Sequence, residues 1–511
     1  MSKTNLLSLA CVVVALGALL ASLHAGHPVQ AHLVHSDALY LPVLFDDVLA
    51  RGGSLADWYL TPAPYFFPDF PLYLLAWMGG GSVLAQTTVF VLLQTILMAG
   101  AIFLVGRKVL DSNRVLATAA LAIVFIWLGL HAGDPFVRLY SSAHHYGAFI
   151  AALLLVAIWL GLDAGQRDWS SRIAMPAIVV LVYLTTLSDA LFLVQAVVPL
   201  LAAALLCHRG TASGTGLRRA AMLLLLPALV AMVSYRFTVT HPTRYKARLG
   251  LARLPANLED AGTICVTLFS QRPLLAAVLL LSLMAGLACI VACLRKKAPA
   301  SLPRPVLLLL VFATLSCAST VAAMLLSTSV QPVPRYLIAA LSWPLVSGMF
   351  LLARVLGARF RYAGLGVTVV FSGLLAAEAW RTRDQHDTGQ FFYPEQIACI
   401  DSALAQASAQ HGIAQYWDAK RVQALSRLHL TLAQYTGELA PMEWITSARY
   451  FNTRYDFAII ADQEVPQFSL PKAQLTAMNG EPVRTVTCGD RSVLLFGKGR
   501  LHTPPPAPAG R

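Results

Sequence analysis

Charge is what this chain of 511 residues has least of: Asp, Glu, Lys and Arg make up 12% of it, against 57% hydrophobic residues. That is too little charge to clothe a soluble globule of this length. A soluble protein with unusually long core helices is a poor alternative, because such helices rarely recur so often without polar faces. Zinc-ligand spacing is also missing, since no pair among the eight cysteines is backed by suitably placed histidines. Cys11, Cys207, Cys289, Cys293 and Cys317 lie in apolar segments or at their ends, where small packing residues are expected. No repeat at solenoid periods and no basic stripe interleaved with aromatics is present, which removes repeat arrays and nucleic-acid binding from consideration. The formal charge is +13, of which Arg381–Arg511 carries only +1, from 13 basic and 12 acidic residues. The remaining +12 suits membrane topology and anionic head groups.

What is present is apolar length. Runs of about 18–25 residues, enough to cross roughly 30 Å of hydrocarbon, recur from end to end. They read as spans near 5–24, 82–105, 115–131, 147–162, 173–187, 190–207, 219–236, 273–294, 305–327, 336–353 and 362–380. The expected fold class is mainly α: a polytopic membrane helical bundle of about eleven spans with a small C-terminal α/β domain. The expected division is a first span at 1–24, an outer loop with amphipathic surface helices at 25–71, a multi-span core at 72–380, a soluble domain at 381–500 and a disordered Pro-rich tail at 501–511. Leu23-His24-Ala25 resembles a signal-peptidase site, but the length of the first apolar run favours a retained helix.

Short basic loops give the direction. Arg107, Lys108 and Arg114 follow the second span, Arg167 and Arg172 the fourth, and Arg209, Arg218 and Arg219 the sixth. Arg295, Lys296, Lys297 and Arg304 follow the eighth, and Arg354, Arg359 and Arg361 the tenth. All fall on one side if the N-terminus is cytoplasmic, as the positive-inside rule requires. An odd number of spans then places the C-terminal domain outside, periplasmic if the membrane is a bacterial inner membrane.

Two outer loops are long, from about Gly26 to Pro71 and from about Phe237 to Arg272. The second carries Arg244 among other cations, against the charge rule, which fits either an anionic ligand or plain solvation. In the tail, 394–411 reads as helix, Tyr455–Ala461 as a strand, and Arg484–Phe496 as a hairpin turning at Gly489-Asp490. Cys399 and Cys488 both lie in this tail, and outside the cytoplasm they are candidates for a disulfide, with two buried thiols as the alternative.

Polar groups beside membrane spans are costly and so are functional candidates by default. Asp37 heads a short amphipathic segment, Leu39, Tyr40, Val43, Leu44 and Val48, whose apolar face suits the membrane surface; an N-cap is its plainest structural role. Asp69 sits inside Phe-Phe-Pro-Asp-Phe-Pro, where a carboxylate needs a partner or a cavity. His144 and His145 stand at a helix start, where a packed or capping pair is the commoner role. Asp189 breaks an apolar run at a tight outer turn, and Pro334-Arg335-Tyr336-Leu337 opens the tenth span. All of these fall on the outer side.

The pattern resembles the GT-C superfamily of integral membrane glycosyltransferases, which use polyprenyl-phosphate-linked sugars. The resemblance covers the layout of nearly the whole chain and three local stretches: Ser36-Asp37-Ala38-Leu39-Tyr40, similar to the acidic motif of the family's first outer loop; Pro334-Arg335-Tyr336-Leu337; and Gln415-Tyr416-Trp417-Asp418-Ala419-Lys420, similar to a stretch in the outer domain of some bacterial members. Many members have Asp-Glu where this chain has Asp37-Ala38, so the second acidic position is missing, which favours chemistry without a metal or other cofactor. The resemblance implies glycosyl transfer on the outer leaflet, from a polyprenyl-phosphate-linked sugar to a lipid, glycan or protein acceptor. Asp37 is the expected base. Arg335 is expected to hold the lipid phosphate, with His144, His145 and Arg244 as lesser candidates; Tyr336 adjoins it, and Asp69 and Asp189 are placed to orient sugar hydroxyls. Arg335 also fits a role as an interfacial anchor. A transporter or flippase for a lipid-linked saccharide is the alternative, but that class places polar groups at the bilayer midplane and shows related halves, neither of which is visible here.

Overall fold

A computed structural model describes residues 2–163, 169–207, 214–242, 248–296, 302–383, 392–452, 454–461 and 469–504. In chain order the helices of the first half are α1 (Lys3–His24), α2 (Tyr40–Phe45), α3 (Asp69–Met78), α4 (Val83–Val109), α5 (Arg114–His131), α6 (Tyr146–Asp163), α7 (Trp169–Ser188), α8 (Val198–Leu206) and α9 (Gly214–Thr238). Those of the second half are α10 (Leu254–Ser270), α11 (Pro273–Leu294), α12 (Arg304–Leu325), α13 (Ile338–Leu356), α14 (Phe360–Thr382), α15 (Glu395–Gln406), α16 (Tyr416–Leu425) and α17 (Lys472–Asn479). Their starts carry ordinary signals. Ser82 accepts the Ala85 N–H at the head of α4, and α10, α11 and α12 each have proline in the first turn, where a missing N–H costs nothing.

Among the described residues, seven helical stretches are long and apolar enough to cross a membrane, and the last of them, Pro334–Thr382, contains both α13 and α14. Tyr146–Leu162, Arg172–Ser188 and Leu193–Leu206 are shorter apolar helices. The apolar helices therefore match the spans expected from the sequence one for one. Leu280, Leu281 and Leu287 of α11 and Leu226 and Leu229 of α9 are exposed, as side chains facing lipid should be. α1 packs along α14 and α5, and its C-terminal end is fastened by a polar cluster. His131 Nε2 lies 2.6 Å from Glu378 Oε2, His27 Nε2 lies 3.6 Å from Glu378 Oε1, and Arg272 donates to the His131 carbonyl at 2.9 Å.

The C-terminal domain is a mixed five-stranded sheet in the order β4 (Thr431–Gln434), β3 (His411–Ala414), β7 (Phe457–Ala461), β9 (Arg491–Leu495), β8 (Arg484–Cys488). β4, β3 and β7 run parallel, while β9 is antiparallel to both β7 and β8. The β8–β9 hairpin turns at Gly489-Asp490, and Gly489 adopts φ +67°, a conformation that costs glycine nothing. Cys399 of α15 is bonded to Cys488 of β8, with Cα atoms 5.6 Å apart.

A second, three-stranded sheet joins distant parts of the chain. β1 (Trp58–Leu60) of the first outer loop pairs in parallel with β2 (His241–Pro242) and antiparallel with β5 (Thr446–Ser447). Trp58 is fully buried, and its indole N–H donates to Asp47 Oδ2 at 2.8 Å.

Three expectations need correction. The loop 237–272 is not all loop: it holds α10, which Asn257 ties to the end of α12 by donating to the carbonyls of Leu325 (2.9 Å) and Ser327 (2.7 Å). Helix α2 does not lie on the membrane surface. Every residue of Tyr40–Phe45 is buried, with α16 of the outer domain and α3 among its neighbours, so its apolar face meets protein rather than lipid. The ordered domain also continues past residue 500, because Leu501–His502 (β10) pairs with Arg454–Tyr455 (β6). Residues 505–511 of the Pro-rich tail and Arg244 lie outside the described residues.

Candidate active site

The first outer loop delivers Asp37 to the junction of the membrane core and the outer domain. Asp37 does not cap α2, whose N-cap position is Leu39 and has no side-chain cap. Its carboxylate is instead shared by two distant groups. Tyr416 at the head of α16 donates its hydroxyl to Oδ1, and Arg335 Nη1 lies 3.3 Å from Oδ2. Ser36 anchors the segment by sharing its hydroxyl between the carbonyls of Tyr416 and Trp417, each at 2.9 Å. The Asp37 and Arg335 side chains remain 22% and 35% exposed. A pair that open contributes at most about 1 kcal/mol, so both groups stay available to a ligand.

Behind Asp37 lies a cationic knot. Arg138 is held by Asp134, with Nη2 2.8 Å from Oδ2. Its Nη1 donates to His35 Nε2 at 2.8 Å and to His144 Nε2 at 3.1 Å. His144 Nδ1 donates to the Ser142 carbonyl at 2.6 Å, which leaves Nε2 as the acceptor. Burial, and then the Arg138 charge, pushes His35 down to about 4 and His144 well below the usual histidine range. Both rings are therefore neutral at physiological pH. His35, Asp37 and His144 bring one ligand atom each within 4.8 Å of one another, yet they fit a metal ion poorly. The two imidazole lone pairs are spent on Arg138, and its fixed positive charge stands where a cation would have to sit.

A second buried group adjoins the first. His145 Nδ1 donates to Asp189 Oδ2 at 2.6 Å, and Tyr65 Oη is 3.4 Å from His145 Nε2. The Tyr336 ring lies 5.5 Å from that of His145. Asp69 Oδ1 accepts the Ala143 N–H at 2.8 Å. Gly147 leaves room for it, since a methyl group there would collide with Asp69 Oδ2. Burial drives the Asp69 carboxyl up to about 7, and the Ala143 N–H restrains the rise. Tyr65, Ala143 and His145 all have positive φ, at 61°, 60° and 68°. Strain of this kind, roughly 1–3 kcal/mol per residue, persists only where the surroundings over-determine it; here the bonds to Asp69 and Asp189 do so.

On the outer-domain side Lys420 is buried one helical turn behind Tyr416. Its ammonium lies 4.5 Å above the Tyr416 ring and donates to Gln434 Oε1 at 2.9 Å. Burial lowers it to about 7, against the pull of Asp37.

No family model and no curated protein sequence matches the chain. Solved structures do. ArnT from Cupriavidus metallidurans bound to undecaprenyl phosphate matches with a TM-score of 0.56 at 13% identity, over 97% of this chain and 98% of that one. The same protein in its apo state matches with a TM-score of 0.54 at 12% identity, over 97% and 99%. The chain has the GT-C fold.

Within this GT-C fold, Asp37, Arg335, Tyr336, His144, His145, Asp69 and Asp189 gather in one continuous polar region at the helix ends that face the C-terminal domain. The sequence alone does not show Arg138 as its organiser, although Asp134 and Arg138 stand four residues apart, a spacing that allows an ion pair. Nor does it show that Tyr416, within a stretch noted above, reaches Asp37. A separate cavity lies elsewhere, beside α2 and the far end of α16.

Proposed function

We propose that the chain is an integral membrane glycosyltransferase that moves a sugar from a polyprenyl-phosphate donor to a cell-envelope acceptor. Transfer takes place on the extracytoplasmic face of a bacterial inner membrane, with the N-terminus cytoplasmic. The observation that carries this reading is the pairing of Asp37 with Arg335 at the boundary of core and outer domain. It sets a carboxylate beside a partly open guanidinium in a fold shared with a protein seen with undecaprenyl phosphate bound.

The chemistry uses few groups. Asp37 accepts the proton of the acceptor hydroxyl as its oxygen attacks the anomeric carbon of the sugar. The bond from that carbon to the phosphate oxygen breaks, and the polyprenyl phosphate leaves with the electron pair. Arg335, with five N–H donors and a single weak ion pair, has donors to spare for the departing phosphate and stabilises its growing charge. Asp189, through His145 and Tyr65, and Asp69, through the Ala143 turn, hold the wall against which the sugar lies. No step passes through a metal. The charged groups gather at the outer helix ends rather than at mid-bilayer, which supports a transferase over a flippase.

The test is Asp37→Asn in the full-length protein, with envelope glycans followed by mass spectrometry. The expected loss of product is about 10²–10⁴-fold, with melting temperature and membrane level unchanged. Unchanged product from a normally folded variant rejects the assignment. Movement of a lipid-linked saccharide across vesicles without formation of a glycosidic bond would favour the flippase instead.

A further inference from the structure

A cavity of about 450 Å³ lies between the first outer loop and the outer domain. This is within the range of small-ligand sites. It has two walls of different origin. One is the α3–α4 turn, with Trp77, Ser82 and Gln86; the other is the outer domain, with Tyr393, Gln423, Arg427 and His429. On the membrane side, Leu74, Leu75 and Met78 of α3 are exposed, so the mouth adjoins the bilayer surface.

Its polar groups are incompletely used. Gln86 accepts from Tyr73 through Oε1 at 2.8 Å, and its amide N–H groups have no partner among the described residues. Gln423 donates to Tyr450 at 3.1 Å, and its Oε1 has no partner among them. Arg427 lies flat on Tyr393, 3.8 Å from the ring centroid, and makes no ion pair there; His429 is exposed and likewise unpaired. Asp46 is the one carboxylate in the lining, and Arg51 neutralises it at 2.6 Å. Aromatic faces, an open amide donor and acceptor, and the Arg427 guanidinium together suit a sugar chain bearing negative charge.

Its position relates it to Asp37. α2 and α16 pack together; both begin at the contact of Ser36 and Asp37 with Tyr416, and both reach the cavity, through Pro42 and Val43 on one and Gln423 on the other. Tyr416 and Gln423 are seven residues apart on α16, which at about 1.5 Å per residue is roughly 10 Å.

We infer that this cavity is a binding subsite for an acidic oligosaccharide segment of the acceptor, with Arg427 holding its negative charge and Trp77 and Tyr393 its ring faces. The link to an acceptor rests on the transferase reading of Asp37; the saccharide site itself does not. Binding is therefore measured by isothermal titration calorimetry on full-length Asp37→Asn protein in detergent, with tri-galacturonate and neutral galactotriose as probes. Saturable binding of tri-galacturonate is expected, at least tenfold tighter than that of galactotriose. Arg427→Gln, at an exposed position, should weaken it at least tenfold, and Trp77→Ala should weaken both probes. No saturable binding of either probe, equal binding of the two, or binding indifferent to both substitutions overturns the inference. If Asp37→Asn protein binds as expected but retains full transferase activity, the catalytic reading fails while the saccharide site stands.

Discussion

The hydroxyl of Tyr416 donates to Asp37 Oδ1, joining residues 379 positions apart in the chain. The proposed base is thus oriented from one side by the outer domain and from the other by Arg335 of the membrane core. Tyr416→Phe removes one of these two constraints and leaves the Ser36 anchor intact. The expected outcome is a fall in turnover of about tenfold, the scale of one modest hydrogen bond, with KM for the donor unchanged. Turnover equal to wild type would make Tyr416 merely structural.

Arg335 is expected to matter for the donor. Arg335→Gln should weaken binding of undecaprenyl phosphate to purified protein by more than tenfold, since a charge-assisted bond is worth about 1.5–3 kcal/mol. Arg335→Lys should recover part of that loss, because charge survives while the planar fork does not. Equal binding by all three proteins rules out a phosphate role.

Asp69 gives a pH signature with a definite sign. Its proton is held up to about pH 7 in the folded protein but only to near 3.8 in the unfolded chain. A raised carboxyl pKa gives stability that is full below the lower value and is lost as pH rises through the upper one. Asp69→Asn should therefore lose less stability than wild type between about pH 4 and pH 8, by an amount on the order of a few kcal/mol. Parallel melting curves for the two proteins across that range would refute it.

The Cys399–Cys488 bond closes a separation of 89 residues. In the chain-entropy account this is worth about 4–5 kcal/mol. The double variant Cys399→Ser, Cys488→Ser should show an outer domain that is cleaved by protease at lower temperature, while the membrane core is unaffected. Cleavage curves that superimpose would show that the bridge is dispensable.

The proposed orientation has its own check. A reporter enzyme active only outside the cytoplasm, fused after Arg383, should be active, and one fused after Arg295 should be silent. The reverse pattern inverts the topology.

Much of the fold was legible because it follows from local rules. Hydrocarbon thickness sets the span lengths, and basic loops alternate with a phase that a miscounted span would break. The β8–β9 hairpin could be placed because Gly489 marks its turn. The site was legible only in part. Asp37, Asp69, Asp189 and Arg335 stand out as charges in apolar surroundings, but what each touches depends on pairing across hundreds of residues. Nothing local says that His35 and His144 converge on Arg138. Helix α2 was misplaced for the same reason. An apolar face reads identically whether lipid or the buried side of α16 covers it.

The contact of Ser36 with the carbonyls of Tyr416 and Trp417 also sets a clock. Asp37 is made 379 residues before the tyrosine that orients it. Any nascent or truncated product that stops before α16 carries the carboxylate without its support. On the proposed reading, such a product inserts into the membrane and stays silent, and transfer begins only after α16 has been made.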